Sequence, residues 1–163
     1  MPRIHPILDE LAREGETTRR VLTRVPTGKL SWKPHEKSRS LGDLAWHVAS
    51  IPGRIAAMAR FDEADVMVHK QAPRPDTTEE IVERLTTGLA EANESLSQLS
   101  DDDLLKSFHF HRGDTTLARL PKIAFLRAVM LNHSYHHRGQ LSVYLRLLDI
   151  SVPPIYGPTA DES

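Results

Sequence analysis

The chain has 163 residues, a length that fits one domain around one core, and its 21 Lys plus Arg against 22 Asp plus Glu leave a formal net charge of -1. That balance disfavours a nucleic-acid surface, and the absence of cysteine excludes disulfides, thiolate metal sites and a cysteine nucleophile. Hydrophobic residues at 39% with aromatics at only 6% suit an aliphatic helical core better than an aromatic-rich sandwich. The start, Pro2-Arg3-Ile4-His5, carries no apolar signal core, and no stretch is long and apolar enough to span a membrane, so a cytoplasmic location is expected.

In chain order, the first helix is expected from about Pro6 to Val25. Pro6 suits a first turn, where its missing N–H costs nothing, and Ile7, Leu8, Leu11, Thr18, Val21, Leu22 and Val25 recur at helical spacing. Pro26 and Gly28 stop it, and residues 26–40, with Trp32 and Pro34, read as an ordered loop. A second helix begins at Ser40, with Asp43 three positions on, close to a capping box. Its apolar face is Leu41, Leu44, Ala45, Val48, Ile51, Ile55 and Met58, and His47 sits beside that face. Pro52 and Gly53 are expected to kink this helix or close it early. Residues 62–76 form a long connection of the kind that is usually functional or mobile. A third helix follows Thr77, with Glu80 completing a capping box and Ile81, Val82, Leu85, Leu89, Ala92, Leu96 and Leu99 as its face. Residues 100–105 can hold a short helical turn, and residues 108–120 read as a third irregular segment. The fourth helix, about Pro121 to Leu148, carries the stripe Leu126, Met130, His133, His137, Leu141, Tyr144, Leu148, each step being three or four residues. The tail from Ile150 reads as extended and proline-rich.

Nine histidines are unusual, and their placement matters more than their number. His133 and His137, at i and i+4, stand about 6 Å apart along a helix axis and can point at one ion. On an exposed face such a pair carries no meaning. On an apolar stripe it is costly, because buried polar groups need partners. His47 is the best candidate for a third ligand. Three neutral imidazoles leave one or more positions open for water or substrate, the arrangement of catalytic rather than structural zinc. The zinc-peptidase motif H-E-x-x-H is absent, since Ser134 stands where its glutamate base belongs.

His133-Ser-Tyr-His-His-Arg-Gly-Gln140 resembles the H-x-x-H-H-R-G-Q signature of the DinB (DinB/YfiT-like) family. Ser40-Leu-Gly-Asp-Leu-Ala-Trp-His47 resembles that family's second-helix motif, and Trp32-Lys-Pro34 and Val152-Pro-Pro-Ile-Tyr-Gly-Pro158 fit its habits. The match runs in order over almost the whole chain, residues 1–163 being read as one such domain. The resemblance implies an all-α four-helix bundle, up-down-down-up, and the long connections leave room for its crossovers. It implies the metal triad His47, His133 and His137, one zinc or nickel ion per chain, and a homodimer. It also implies either a metal-dependent hydrolase or thiol transferase acting on a small molecule, or a stress protein that holds metal without turnover. No nucleic-acid or membrane partner is expected.

Other residues carry weaker expectations. Asp43 is expected to cap its helix, with a hydrogen bond to His47 as the alternative. Gln140 can reach toward the open metal position or face the surface. Gly139, costly in a helix interior, suggests a close helix approach or a dimer contact. Arg138 is either paired with an acid on a neighbouring helix or solvated. His136 lies off the stripe. His109 and His111 flank Phe110 as a possible second metal pair or as ordinary loop residues. His5, His35 and His69 have no partner at ligand spacing, and Trp32 and Trp46 read as core.

Overall fold

The computed structural model describes residues 2–68 and 72–162, so His69 lies outside the described part. The elements are α1 (His5–Leu22), a 3-10 turn (Thr27–Lys29), α2 (Leu41–Ala59), β1 (Glu63–Asp65), α3 (Thr78–Leu96), α4 (Asp101–Leu105), β2 (Ser107–Arg112), β3 (Thr115–Pro121), α5 (Lys122–Phe125), a π-helical segment (Leu126–Asn132) and α6 (His133–Leu147). None of these helices is long and apolar enough to cross a membrane.

Helix starts follow local chemistry. Ser40 Oγ accepts from Asp43 N, and Thr77 Oγ1 accepts from Glu80 N, each filling one orphan donor of a first turn. Glu80 does not close the reciprocal half of its box on the backbone; its carboxylate accepts from the Thr77 hydroxyl at 2.6 Å instead. The full box is at Ser100 and Asp103, which start α4.

Three expectations fail, each for a tertiary reason. α2 does not close early at Pro52 and Gly53 but runs on to Ala59. Pro52 and Gly53 are buried there, and a Cβ added to Gly53 would lie 3.0 Å from Gly88 Cα, so α2 and α3 touch backbone to backbone. That packing outweighs the hydrogen bond Pro52 cannot make. Residues 108–120 are not irregular but form the β2–β3 hairpin, with Arg112 opposite Thr115 and a two-residue Gly113-Asp114 turn. Gly113 has φ +52, the positive value such turns require. The connection after α2 adds β1 in parallel, giving a small sheet of order β1-β2-β3 beside a body that is mostly helical, where an all-α fold is expected. Third, the last helical stretch is not one α-helix. A π segment precedes His133 and shifts the helical phase beyond it, so Leu131, Arg138, Leu141 and Leu145 face the core while His133 and His137 stand half-buried beside it.

Helix directions follow from side-chain contacts. Tyr144 reaches the Arg39 carbonyl, His47 meets His133, and Lys122 pairs with Asp62, so α2 and α6 are antiparallel. Glu10 meets Arg127 while Glu14 meets Arg138, so α1 and α6 run the same way. Leu41, Leu44 and Ala45 pack with Ile81 and Leu85, and Ile55 and Ala59 with Ala92 and Leu96, so α2 and α3 are parallel.

α6 ends in a Schellman cap in which Ile150 N bonds to Leu145 O and Asp149 N to Arg146 O, with Asp149 at φ 57. The tail then folds back: Arg146 pairs with Asp161, Arg24 with Glu162, and Val152 is buried.

Candidate metal centre

The antiparallel contact of α2 with α6 brings His47, His133 and His137 together. One ring nitrogen of each lies within 4.8 Å of the others. His47 Nε2 and His133 Nε2 are 3.0 Å apart. The rings meet edge-on, with centroids 5.1 Å apart for His47–His133, 4.6 Å for His47–His137 and 4.4 Å for His133–His137. His47 is buried and the α6 pair half-buried, so the cluster is reached from one side. Gln140 Oε1 accepts from His137 Nδ1 at 2.7 Å, which leaves Nε2 of His137 free for the shared centre. Gln140 therefore orients a histidine rather than reaching past it.

Electrostatics favours the neutral form of the two α6 rings. Burial, followed by the charges of His137, Arg54, His136 and Arg39, pushes His133 down to about 4. Burial also lowers His137, with the bond to Gln140 opposing it and His136 and Arg39 adding to it. Neutral imidazoles with available lone pairs suit zinc, nickel or copper, and two imidazole nitrogens on one tetrahedral zinc stand about 3.3 Å apart. The His47 and His133 nitrogens stand 3.0 Å apart, close to that value, and the His137 nitrogen lies within 4.8 Å of both, so the three residues could hold a divalent ion.

The expected cap at Asp43 is not seen: Ser40 caps α2 by accepting from the Asp43 backbone N–H, and the Asp43 carboxylate faces Arg74 Nε at 3.5 Å. Trp46 is more than core: its Nε1 donates to the Ala72 carbonyl at 2.7 Å, tying the long connection to α2. Trp32 packs edge-on against Tyr144. His136 is exposed along with Gly139, its ring 4.8 Å from that of His137. His35 accepts from Lys37 N in the loop, and His5 opens α1. Gly139 has open space where a Cβ would be, so no close approach within the chain requires it.

Arg138 is paired rather than solvated. It is 1% exposed, with Nη2 at 2.6 Å from Glu14 Oε2, bonds to Glu14 O, Thr18 Oγ1 and Tyr156 OH, and the Tyr135 and Tyr156 rings on its flanks. It locks α6 and the tail to α1 immediately beside His137.

A second cluster joins His109 and His111 with Glu63, which the sequence alone does not single out because Glu63 arrives through the β1–β2 register. Three of its four ring nitrogens have partners: both of His109, with Thr116, Arg119 and Glu63, and His111 Nδ1 with the Gly113 carbonyl. Arg54 also escapes the sequence reading, although its position seven residues after His47 puts it on the same face of α2. A cleft of about 690 Å³ between α2 and α3, lined by Gly53, Arg60, Glu91, Ser95 and Gln98 among others, does not include the triad.

Comparison with known proteins gives a family and a fold. The model of the DinB family matches residues 1–163. The uncharacterized protein YrdA of Bacillus subtilis (strain 168) is 24% identical over 150 residues, spanning 91% of this chain and 85% of YrdA. A crystal structure of a DinB-like protein from Bacillus cereus ATCC 10987 superposes with TM-score 0.68 at 27% identity, covering 88% of this chain and 91% of that one. The DinB-like protein YjoA from Bacillus subtilis superposes with TM-score 0.74 at 21% identity, covering 93% and 98%, a likeness of fold.

Proposed function

We propose that this chain, which belongs to the DinB family, holds one divalent metal ion, zinc or nickel, on His47, His133 and His137. The observation that carries the reading is the convergence of three ring nitrogens from two helices within 4.8 Å. The helix directions support a single DinB-type domain built as an up-down-down-up four-helix bundle, with the sheet appended at one end. In this reading His47 supplies the buried ligand, the α6 pair closes the site, and Gln140 fixes the tautomer of His137. A bound divalent cation lowers the pKa of a coordinated water or thiol, which readies it as a nucleophile at neutral pH. The open side of the triad favours a hydrolase or thiol-transferase type of reaction on a small molecule. A metal-holding stress protein without turnover is the second reading, favoured by the position of the 690 Å³ cleft apart from the histidines.

The test is metal content and affinity of untagged protein. About one ion per chain is expected, removable by chelator or acid, since protonated imidazole cannot ligate. His137→Ala abolishes tight binding and the metal-dependent rise in melting temperature, whereas His136→Ala retains both. The opposite pattern would place the ligand at His136, and no uptake of zinc or nickel would sink the reading. We further propose that the chain pairs with a second copy through the exposed row Gly139, Val143 and Leu147 of α6. A monomer mass by light scattering at micromolar concentration would count against it.

A further inference from the structure

Most arginines that pack into the helical body have an acid. Arg74 faces Asp43, Arg84 pairs with Glu91, Arg127 with Glu10 and Arg138 with Glu14. Arg54 differs. It is half-buried, its Nε is sealed from solvent with no hydrogen-bond partner, and no ion pair engages it among the described residues. The charges that face it are cationic or basic: Arg39 lies near enough to oppose its protonation together with burial, and Arg54 in turn disfavours a charge on His133. Arg39 is itself exposed and has no ion pair among the described residues. A buried guanidinium without an acid is expensive unless something supplies the anion.

Its placement says where that anion would sit. Arg54 follows His47 by seven residues, two turns and about 10 Å along the same face of α2. Side chains on a helix lean toward its N-terminus, so the long Arg54 side chain reaches back toward the triad. Its Nη nitrogens are not among the sealed atoms, so the tip of the side chain meets solvent while the stem is held. We propose that Arg54, seconded by Arg39, is a carboxylate-binding subsite beside the three histidines, so that the small molecule this site takes carries a carboxylate a few bonds from the atom that approaches the metal. The proposal rests on the metal reading above and adds the charge and spacing of the ligand. A planar carboxylate suits the guanidinium fork, which donates to it through two parallel hydrogen bonds.

The experiment uses full-length protein loaded with cobalt(II) and reads the cobalt–thiolate absorption band. The probes are 3-mercaptopropionate and its neutral amide, matched in size and thiol. The wild type is expected to bind the carboxylate at least about tenfold more tightly. Arg54→Met should reduce that preference to within about twofold while retaining cobalt, and Arg54→Lys should retain part of it. Arg54→Gln provides a second neutral variant should the methionine disturb packing, and its melting temperature, like that of Arg54→Met, should not fall below wild type because an unpaired charge has been removed. Cobalt uptake without discrimination by the wild type, or a preference that survives in both neutral variants, overturns the carboxylate subsite and leaves the metal centre standing. Failure to take up cobalt overturns both.

Discussion

Arg138 offers the sharpest test of how the histidine helix is held. Its side chain is 1% exposed and its partner Glu14 19%, at 2.6 Å. Arg138→Met keeps most of the volume and removes the charge, three further hydrogen bonds and the contacts to two tyrosine rings. Breaking one side of a buried pair costs about 3–5 kcal/mol. Glu14 keeps the Tyr156 hydroxyl at 2.9 Å and some solvent, which argues for the lower end, about 3 kcal/mol. For a chain of this size that corresponds to a fall in melting temperature of roughly 6–12 °C. Urea denaturation of Arg138→Met, Glu14→Gln and the double variant measures the coupling directly. The double variant should lose less than the sum of the singles by more than about 1 kcal/mol. A single-variant loss below about 1 kcal/mol with additive behaviour would refute the reasoning, because an arginine that dispensable cannot be what fixes α6 to α1.

Three further outcomes are expected. In metal-free protein, stability should fall as pH drops from 6.5 to about 4, because the unfolded chain takes up a proton that folded His133 resists. Urea midpoints across that range should show the slope, and His133→Gln should flatten it. Gln140→Leu should weaken zinc binding about tenfold, since His137 loses the acceptor that fixes its tautomer; chelator competition that gives unchanged affinity would remove Gln140 from the site. Gly53→Ala should cost about 1–2 kcal/mol by thermal melting, despite alanine's better helix propensity, because its Cβ meets the Arg84 and Glu91 side chains first and Gly88 Cα at 3.0 Å behind them. A stabilised variant would show that the two backbones are not in contact.

The amino-acid sequence by itself determined the features that depend on neighbours along the chain. Ser40 and Thr77 start helices because a side-chain oxygen and an orphan N–H three residues on meet in any first turn. His133 and His137 face one way because four residues make about one turn. The core faces of α1 and α3 follow the same period, and the family motifs are themselves short local strings. The β2–β3 hairpin is legible too: Gly113-Asp114 separates two short runs rich in Phe, Thr and Leu, a turn signal inside the segment read as irregular. Only the tertiary structure decided the features that depend on a second element. Pro52 sits inside α2 because Gly53 meets Gly88 on another helix. Arg138 is core because Glu14 waits on α1, and the π segment sets which α6 residues reach the core line. Glu63 joins His109 and His111 only through a strand register, and Arg54 is left without an acid among the described residues only once the acids of the helical body have been assigned elsewhere. Periodicity reports which face a residue occupies; it carries no information about what another helix or strand presents to that face, and charge pairing, burial and metal geometry are all set there.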